Sequence, residues 1–406
     1  MTEILLGALL VTLLIVTLTL ALLAMRQWLV PAESIIVTVN ETQTVKARRG
    51  DRLLGVLHGA EIGIPAACGG SGTCGLCRCV VTGEGAGHAQ ATEKGILSAA
   101  ERKAGIRLAC QTMLRGACSV TVPGEFLGAT GFTCTVVSNR QMAPLIRELV
   151  LKLPEGQPFD FRAGGFLQLT APPYTLDFRD MPVDAAFHET WRLADWPTMR
   201  SVSDQRVTRA YSIANRPEDA GHAVFNIRLA TPPAGKEQDL PPGVVSSWLF
   251  SLQPGDSVEA SGPFGEFHVQ PTGREIVFIG GGVGMAPLRS MIHEQIGQGS
   301  TRKMRYFYGA RSAADLFYVD EFEGIAATNP NFLWTPALSD PAPGDRWQGE
   351  TGFIHDVVRA HLLRHPAPEE CEFYLCGPPV MISAVLHTLA KLGVEPHSIF
   401  NDDFGG

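Results

Sequence analysis

Three cysteines set among glycines, CGGSGTCGLC at 68–77, with Cys110 placed 33 positions beyond Cys77, narrow what this chain can fold around. Four thiolates hold either zinc or an iron–sulfur cluster. Zinc sites usually present two C-x2-C pairs on separate knuckles, and here only Cys74 and Cys77 make such a pair. Three ligands on one glycine-rich loop and a distant fourth come close to the plant-type [2Fe–2S] pattern, C-x4-C-x2-C with a remote cysteine. The glycines have a physical reason. A loop wrapped around an anionic cluster aims backbone N–H groups at sulfur and reaches φ values closed to residues with a Cβ. One spacing departs, since five residues rather than four separate Cys68 from Cys74. Rieske ligation would need two histidines, and none lies one or two residues from these cysteines. The expected ligands are Cys68, Cys74, Cys77 and Cys110, with a zinc site the alternative. Cys79 is near enough to compete but has left the glycine loop, and Cys118, Cys134 and Cys371 are expected as small core residues.

Residues 4–25 hold no charged side chain and no proline, and fourteen of them are Ile, Leu or Val. At 1.5 Å per residue the run spans roughly 33 Å, about the hydrocarbon core of a bilayer, so a single transmembrane helix is expected. A cleaved signal peptide is the alternative, but Glu3 stands where a basic segment belongs and the run is too long. Arg26, Lys46, Arg48 and Arg49 follow it, and the positive-inside bias leaves the bulk of the chain in the cytoplasm. There the nine cysteines stay reduced. The span carries no ionisable residue and offers no ion path. A net charge of −8 argues against nucleic acid as a partner.

A chain of 406 residues is too long for one core. After the anchor, SIIVTVN and TVKARR read as strands, Asp51 as the cap of a short helix RLLGVLHGA, and further strands run to about Pro123. From about residue 131 short β-rich runs follow one another (FTCTVVSN, ELVLKL, GGFLQLT, RAYSIAN, AVFNIRLA, DSVEASG, EFHVQ), which suggests an antiparallel barrel. Residues 171–205 interrupt it with a long polar, proline-bearing segment of the kind that is functional or interface-forming. From residue 273 strands alternate with helical periods, a doubly wound α/β pattern.

In the barrel, Arg209 and Tyr211 share one strand face and Ser212 takes the other. An arginine neutralises a diphosphate, and a tyrosine offers a ring for a planar cofactor. Gly243, Ser246 and Ser247 open a helix whose N-terminal N–H groups suit an anion. In the last third, REIVFIGGGVGMAPLRS is strand, glycine turn and helix. Gly280, Gly281, Gly282 and Gly284 let the backbone approach a pyrophosphate. The following strand ends at Arg311 without the acid that usually binds a ribose, so the sequence does not separate NADH from NADPH. Cys376 and Gly377 fall at another strand's carboxyl edge, where such sheets bind ligands.

These motifs in this order (R-x-Y-S, G-x-x-S, GGGxGxAP and CGPP) resemble the ferredoxin–NADP reductase superfamily. The ordered fusion, with its C-x5-C-x2-C loop and FNDDFGG terminus, is similar to the F subunits of the sodium-translocating NADH:quinone reductases over essentially the whole chain. The resemblance implies a transmembrane anchor at 1–33 and a β-grasp [2Fe–2S] ferredoxin domain at 34–126. It further implies an antiparallel β-barrel FAD domain at 127–271 and a doubly wound α/β NADH domain at 272–406. Arg209 would then bind the FAD diphosphate, Tyr211 stack on the isoalloxazine, Ser212 bond near flavin N5, and Gly243, Ser246 and Ser247 hold the pyrophosphate. Cys376 would lie beside the nicotinamide, and Phe404 would cover the other flavin face. The implied role is electron input at a bacterial inner membrane, from NADH through FAD and [2Fe–2S] to partner subunits and quinone. Two rivals are the reductase component of a multicomponent oxygenase and a non-catalytic membrane scaffold holding zinc.

Overall fold

The computed structural model describes residues 7, 9, 10, 12–19, 34–60, 62–66, 70–73, 75–123, 131–219, 221–232, 240–342 and 344–403. Contacts divide the chain into two compact units, 1–60 with 78–122, and 61–77 with 123–406. In the apolar N-terminal run, residues 7, 9, 10 and 12–19 are helical, and Leu9, Leu10, Leu13 and Leu14 are at least 60% exposed. No helix among the described residues is long and apolar enough to cross a membrane, and the rest of the expected span lies outside them.

The first unit contains β1 (Ser34–Val39), β2 (Gln43–Arg48), α1 (Leu53–Gly59), β3 (Arg78–Thr82), α2 (Ala91–Ile96), α3 (Ala99–Lys103), β4 (Ile106–Leu108) and β5 (Cys118–Thr121). They form one mixed sheet in the order β2-β1-β5-β3-β4, with β1 and β5 parallel. Alternation sorts the faces of β1, where Val37 and Val39 are fully buried and Ile36 is exposed. Asp51 does not cap α1. Its carboxylate accepts from Arg48 N at 2.8 Å, closing the turn out of β2, while Arg52 occupies the cap position without a side-chain bond. Glu93 on α2 is wholly buried, bonded by Arg107 Nε at 2.8 Å and Nη2 at 2.9 Å and by the backbone N–H of Leu108 and Gln90.

The second unit begins with β6 (Phe132–Ala143), β7 (Ile146–Lys152), β8 (Phe166–Ala171), β9 (Tyr174–Asp177), α4 (His188–Leu193), β10 (Arg200–Ser203), β11 (Val207–Ser212), β12 (His222–Arg228), α5 (Val244–Ser251) and β13 (Ser257–Phe264). Six of these strands form an antiparallel sheet, β11-β8-β13-β6-β7-β12, and an Ile213–Phe225 bridge joins its two ends into a barrel. The segment 171–205, polar and long in the sequence, is structured. It pairs β9 with β10 and buries Phe178, Met181 and Trp191 against Phe250 of α5. EFHVQ is not a strand: its alternating pattern serves a connecting strap whose Val269 is buried in the next core.

The chain then runs through β14 (Ile276–Gly281), α6 (Met285–Gly297), β15 (Met304–Ala310), α7 (Val319–Thr328), β16 (Phe332–Leu338), β17 (Glu350–Thr351), α8 (Ile354–Leu362), β18 (Glu372–Gly377), α9 (Pro379–Lys391) and β19 (Ile399–Asp403). All six strands are parallel, in the order β17-β16-β15-β14-β18-β19, with a separate apolar core on each face. β14 is buried along its whole length, as a central parallel strand covered on both faces must be.

Candidate functional site

The chain leaves β14 toward β15 on one side and later returns to β18 on the other, so the strand order reverses at β14. Ligands of such sheets bind outside the carboxyl ends at that reversal, which is where Gly280 and Gly281 end β14 and Cys376 pairs with Gly280. The glycines there are dictated by crowding. A Cβ on Gly284 would lie 2.0 Å from the Cys376 carbonyl oxygen, and one on Gly281 would lie 2.7 Å from Met381 Sδ. Gly282 is different: it takes φ +55° and faces open space. A cleft of about 1030 Å³ opens here, lined by Gly281, Gly282 and Met381. The barrel contributes Pro144, Leu145 and Arg228 to its walls, and the 171–205 segment contributes Thr190 and Trp196.

Cys376 stands at the carboxyl edge as its sequence position indicates, but its side chain is fully buried in the core cluster that contains Met285 and Tyr306. A Cβ on Gly377 beside it would lie 3.0 Å from Gly281 O and 2.7 Å from Met381 Cε, so the two strand-end glycines pack backbone to backbone. Arg311, at the end of the strand that lacks the usual acid, pairs with Asp340 at 3.1 Å. Asp340 follows β16, so the carboxylate is supplied from the neighbouring strand, a placement that no local motif announces.

On the barrel, Arg209 and Tyr211 lie on one face of β11 and Ser212 is buried on the other. Tyr211 packs against the barrel core, and burial pushes its hydroxyl above the ordinary tyrosine range, against the opposing pull of Arg209. Gly243 opens α5 in a spot with no room for a side chain: a Cβ would lie 2.6 Å from Ser246 Oγ and 2.8 Å from Ala230 Cβ. Ser246 donates to Gly243 O at 3.1 Å and accepts from Ala230 N at 3.2 Å, while Ser247 is fully buried. Sequence reasoning missed Tyr174, whose hydroxyl bonds Ser201 Oγ at 2.6 Å and donates to Val244 O at 2.5 Å, tying the inserted segment to the start of α5. The neighbouring Arg147 locks the same segment, donating to Asn139 O and Pro182 O beneath the Phe250 ring. Burial lowers Arg147 to about 10, with Asp184 opposing. An arginine, a half-buried ring and a glycine-opened helix N-terminus suit a flavin carrying a diphosphate. These barrel residues do not line the cleft described above.

Cys68, Cys74 and Phe404 lie outside the described residues. Cys77 and Cys110 are each 1% exposed, and Gln111 Nε2 donates to Cys110 Sγ at 3.5 Å. Gly70, Gly72 and Gly75 take φ of +91°, +83° and +68°, so the loop does use the left-handed region that only glycine enters cheaply. A glycine loop of this kind with buried thiols fits an iron–sulfur cluster. By contrast, burial pushes the Cys134 and Cys371 thiols up to about 12, as suits inert core residues. Glu275, His365 and Cys371 also bring ligand atoms within 4.8 Å of one another. However, His365 Nδ1 accepts the Ala367 N–H at 3.2 Å, so in the neutral ring Nε2 carries the proton and donates to Glu275 at 3.2 Å. That cluster is a hydrogen-bond chain.

Three family profiles match in chain order: a 2Fe-2S iron-sulfur cluster binding domain over residues 37–115, an oxidoreductase FAD-binding domain over 197–269, and an oxidoreductase NAD-binding domain over 278–387. Among solved structures, the fold is similar to the Amycolatopsis cytochrome P450 reductase, 26% identical with a TM-score of 0.61, covering 92% of this chain and 99% of that one. A ferredoxin reductase of carbazole 1,9a-dioxygenase is 25% identical with a TM-score of 0.60, covering 92% and 98%. Among curated relatives, the F subunit of the Na(+)-translocating NADH-quinone reductase of Marinomonas sp. is 46% identical over 406 residues, covering 100% of this chain and 99% of the relative. That of Pseudomonas aeruginosa is 46% identical over 387 residues, covering 95% and 94%. Likeness sustained at this level from end to end is more than a shared set of domains, and the chain belongs to the family of Na(+)-translocating NADH-quinone reductase F subunits.

Proposed function

We propose that this chain is the electron-input component of a membrane NADH:quinone reductase complex. NADH occupies the switch-point cleft, its pyrophosphate over Gly281 and Gly282 at the start of α6. The observation that carries the reading is that one cleft is lined jointly by the glycine turn of the parallel sheet and by barrel residues Pro144, Leu145 and Arg228. FAD held by such a chain would supply a two-electron acceptor for the nicotinamide's hydride, and a [2Fe–2S] cluster would supply one-electron transfer.

The chain's own residues bind and orient. Arg209 and the N–H groups at the start of α5 take the FAD diphosphate, Tyr211 offers its ring to the flavin, and Ser212 bonds near the flavin's reactive nitrogen. Ser246 and Ser247 shape the helix start. Cys68, Cys74, Cys77 and Cys110 would hold the cluster, Cys376 would lie behind the nicotinamide end of the cleft from its buried place at the sheet's edge, and Phe404 would cover the flavin until nicotinamide arrives. The apolar run at 4–25 anchors the chain as a single span, with the globular bulk on the cytoplasmic side. The exposed leucines of its described part and the basic residues that follow support this. The alternative role as an oxygenase reductase draws on the solved likenesses at 25–26% identity, and the 46% full-length relatives outweigh them.

The test is Cys77→Ala in purified holoprotein. The paramagnetic signal of the NADH-reduced cluster is expected to vanish, while NADH oxidation by ferricyanide persists. A signal that survives in the variant would mean that Cys77 does not hold the cluster.

A further inference from the structure

Past the end of β15 the cleft is bordered by a rim whose hydrogen-bond donors are already committed. Ser312 donates from its N–H and its hydroxyl to the Asp315 carboxylate, at 3.1 and 2.8 Å. Ala313 N and Ala342 N donate to Asp345 Oδ2, at 3.1 and 2.8 Å. Arg311, the first residue after β15, gives Nε and Nη2 to Asp340 Oδ2 at 3.2 and 3.1 Å, and its carbonyl accepts from Asp340 N at 2.8 Å. Arg311, Ser312, Asp315 and Asp340 all line the cleft. In a sheet of this order, the end of the second strand is where the adenosine ribose of a dinucleotide lies. The Arg311 guanidinium there is paired with Asp340, and Asp315 adds a second carboxylate to the same stretch of the lining.

Resting on the reading that this cleft is the NADH site, we propose that Asp340 is the residue that restricts it to dinucleotides without a 2′-phosphate. A 2′-phosphate brings close to two negative charges and needs an arginine or several N–H donors to hold them. Arg311, the arginine at the end of this strand, is held by Asp340, and the donors of Ser312, Ala313 and Ala342 are spent on carboxylates. A ribose hydroxyl has the opposite requirement. It donates to a carboxylate, so Asp340 supplies from the third strand the acid that the second strand lacks.

The test compares ferricyanide reduction by the holoprotein with NADH and with NADPH. Asp340→Asn removes the charge and releases Arg311, and is expected to raise kcat/KM for NADPH about tenfold while lowering that for NADH. Adding Arg311→Ala to Asp340→Asn is expected to erase the NADPH gain. Both side chains are well exposed, 78% for Arg311 and 67% for Asp340, so the fold does not depend on them. If Asp340→Asn shifts the NADH KM but leaves the NADPH to NADH ratio unmoved, the selectivity assignment fails and the NADH site stands. If neither variant moves either KM, the cleft is not the nucleotide site and both readings fall.

Discussion

Gly284 and Cys376 touch through their backbones, so closely that a Cβ on the glycine would sit 2.0 Å from the cysteine's carbonyl oxygen. The contact brings the turn before α6 against the end of β18, the two sides of the switch point. Gly284→Ala therefore forces the helix start away from the sheet. We expect a loss of about 1–3 kcal/mol or more, read as a lower thermal midpoint, together with a raised KM for NADH. Gly324→Ala is the counter-case. It lies inside α7 with open space where the methyl would go, and it should stabilise by about 0.5–1 kcal/mol.

Glu93 and Arg107 make a buried pair in the first unit. Burial alone would push the Glu93 carboxyl up, but the bonds from Arg107 and from the Gln90 and Leu108 N–H groups outweigh it and the pKa ends below the usual glutamate value. A carboxylate with a depressed folded pKa lends stability above its unfolded pKa and loses it as pH falls through the folded one. Denaturant melts of the wild type should thus weaken on the acid side of the ordinary carboxylate range, and Glu93→Gln should flatten that dependence. Arg107→Met leaves the charge without its main partner and should cost about 3–5 kcal/mol at neutral pH. In that variant burial is less opposed, so Glu93 should titrate higher and part of the loss should be recovered on mild acidification.

Tyr318 joins the barrel to the α/β sheet. Its hydroxyl donates to Glu148 at 2.5 Å and accepts from Asn226 at 3.0 Å, and the Arg289 guanidinium lies 4.6 Å over its ring. Arg289 also bonds Ala214 O at 2.8 Å and Glu321 with two nitrogens. Tyr318→Phe keeps the ring and the cation above it but takes the acceptor from Asn226 Nδ2 and leaves Glu148 with Arg140, which should cost about 1–3 kcal/mol. A melt showing no change would mean the hydroxyl is replaced by water.

What the sequence discloses and what it hides follow one physical line. The turn at Gly280–Gly284 is legible because its strand, glycines and helix are contiguous, and the strand faces of β11 follow from alternation. Asp340 is not legible, because it reaches Arg311 from a different strand end. The helix at Val319–Thr328 is announced only by Asp320 and Glu321 in its first turn: it begins after Tyr318 in the left-handed region, with no capping side chain. The 171–205 segment looks like a loop because its order comes from Trp191 and Phe178 packing on Phe250 of α5 and from the bond that Arg147 of β7 gives to Pro182 O, contacts distant in sequence. EFHVQ misleads the other way, since alternation of the strand period also suits a strap that dips Val269 into a core.

Ser246 is the residue for which motif and geometry suggest different duties. The motif assigns it to the FAD pyrophosphate, yet its hydroxyl bridges Gly243 O and Ala230 N, and Gly243 N donates back to Ala230 O at 2.8 Å. On the proposed reading it would act on FAD by fixing where α5 begins, leaving the helix's first N–H groups to take the phosphate. Ser246→Ala removes both bonds, a loss comparable to that of a helix cap, about 1 kcal/mol. FAD affinity should then fall about fivefold, seen as a lower flavin to protein ratio after gel filtration, and Ser246→Thr, which keeps the hydroxyl, should restore part of it. If the thermal midpoint drops while flavin content stays whole, the hydroxyl serves the fold alone and the phosphate is held by other donors.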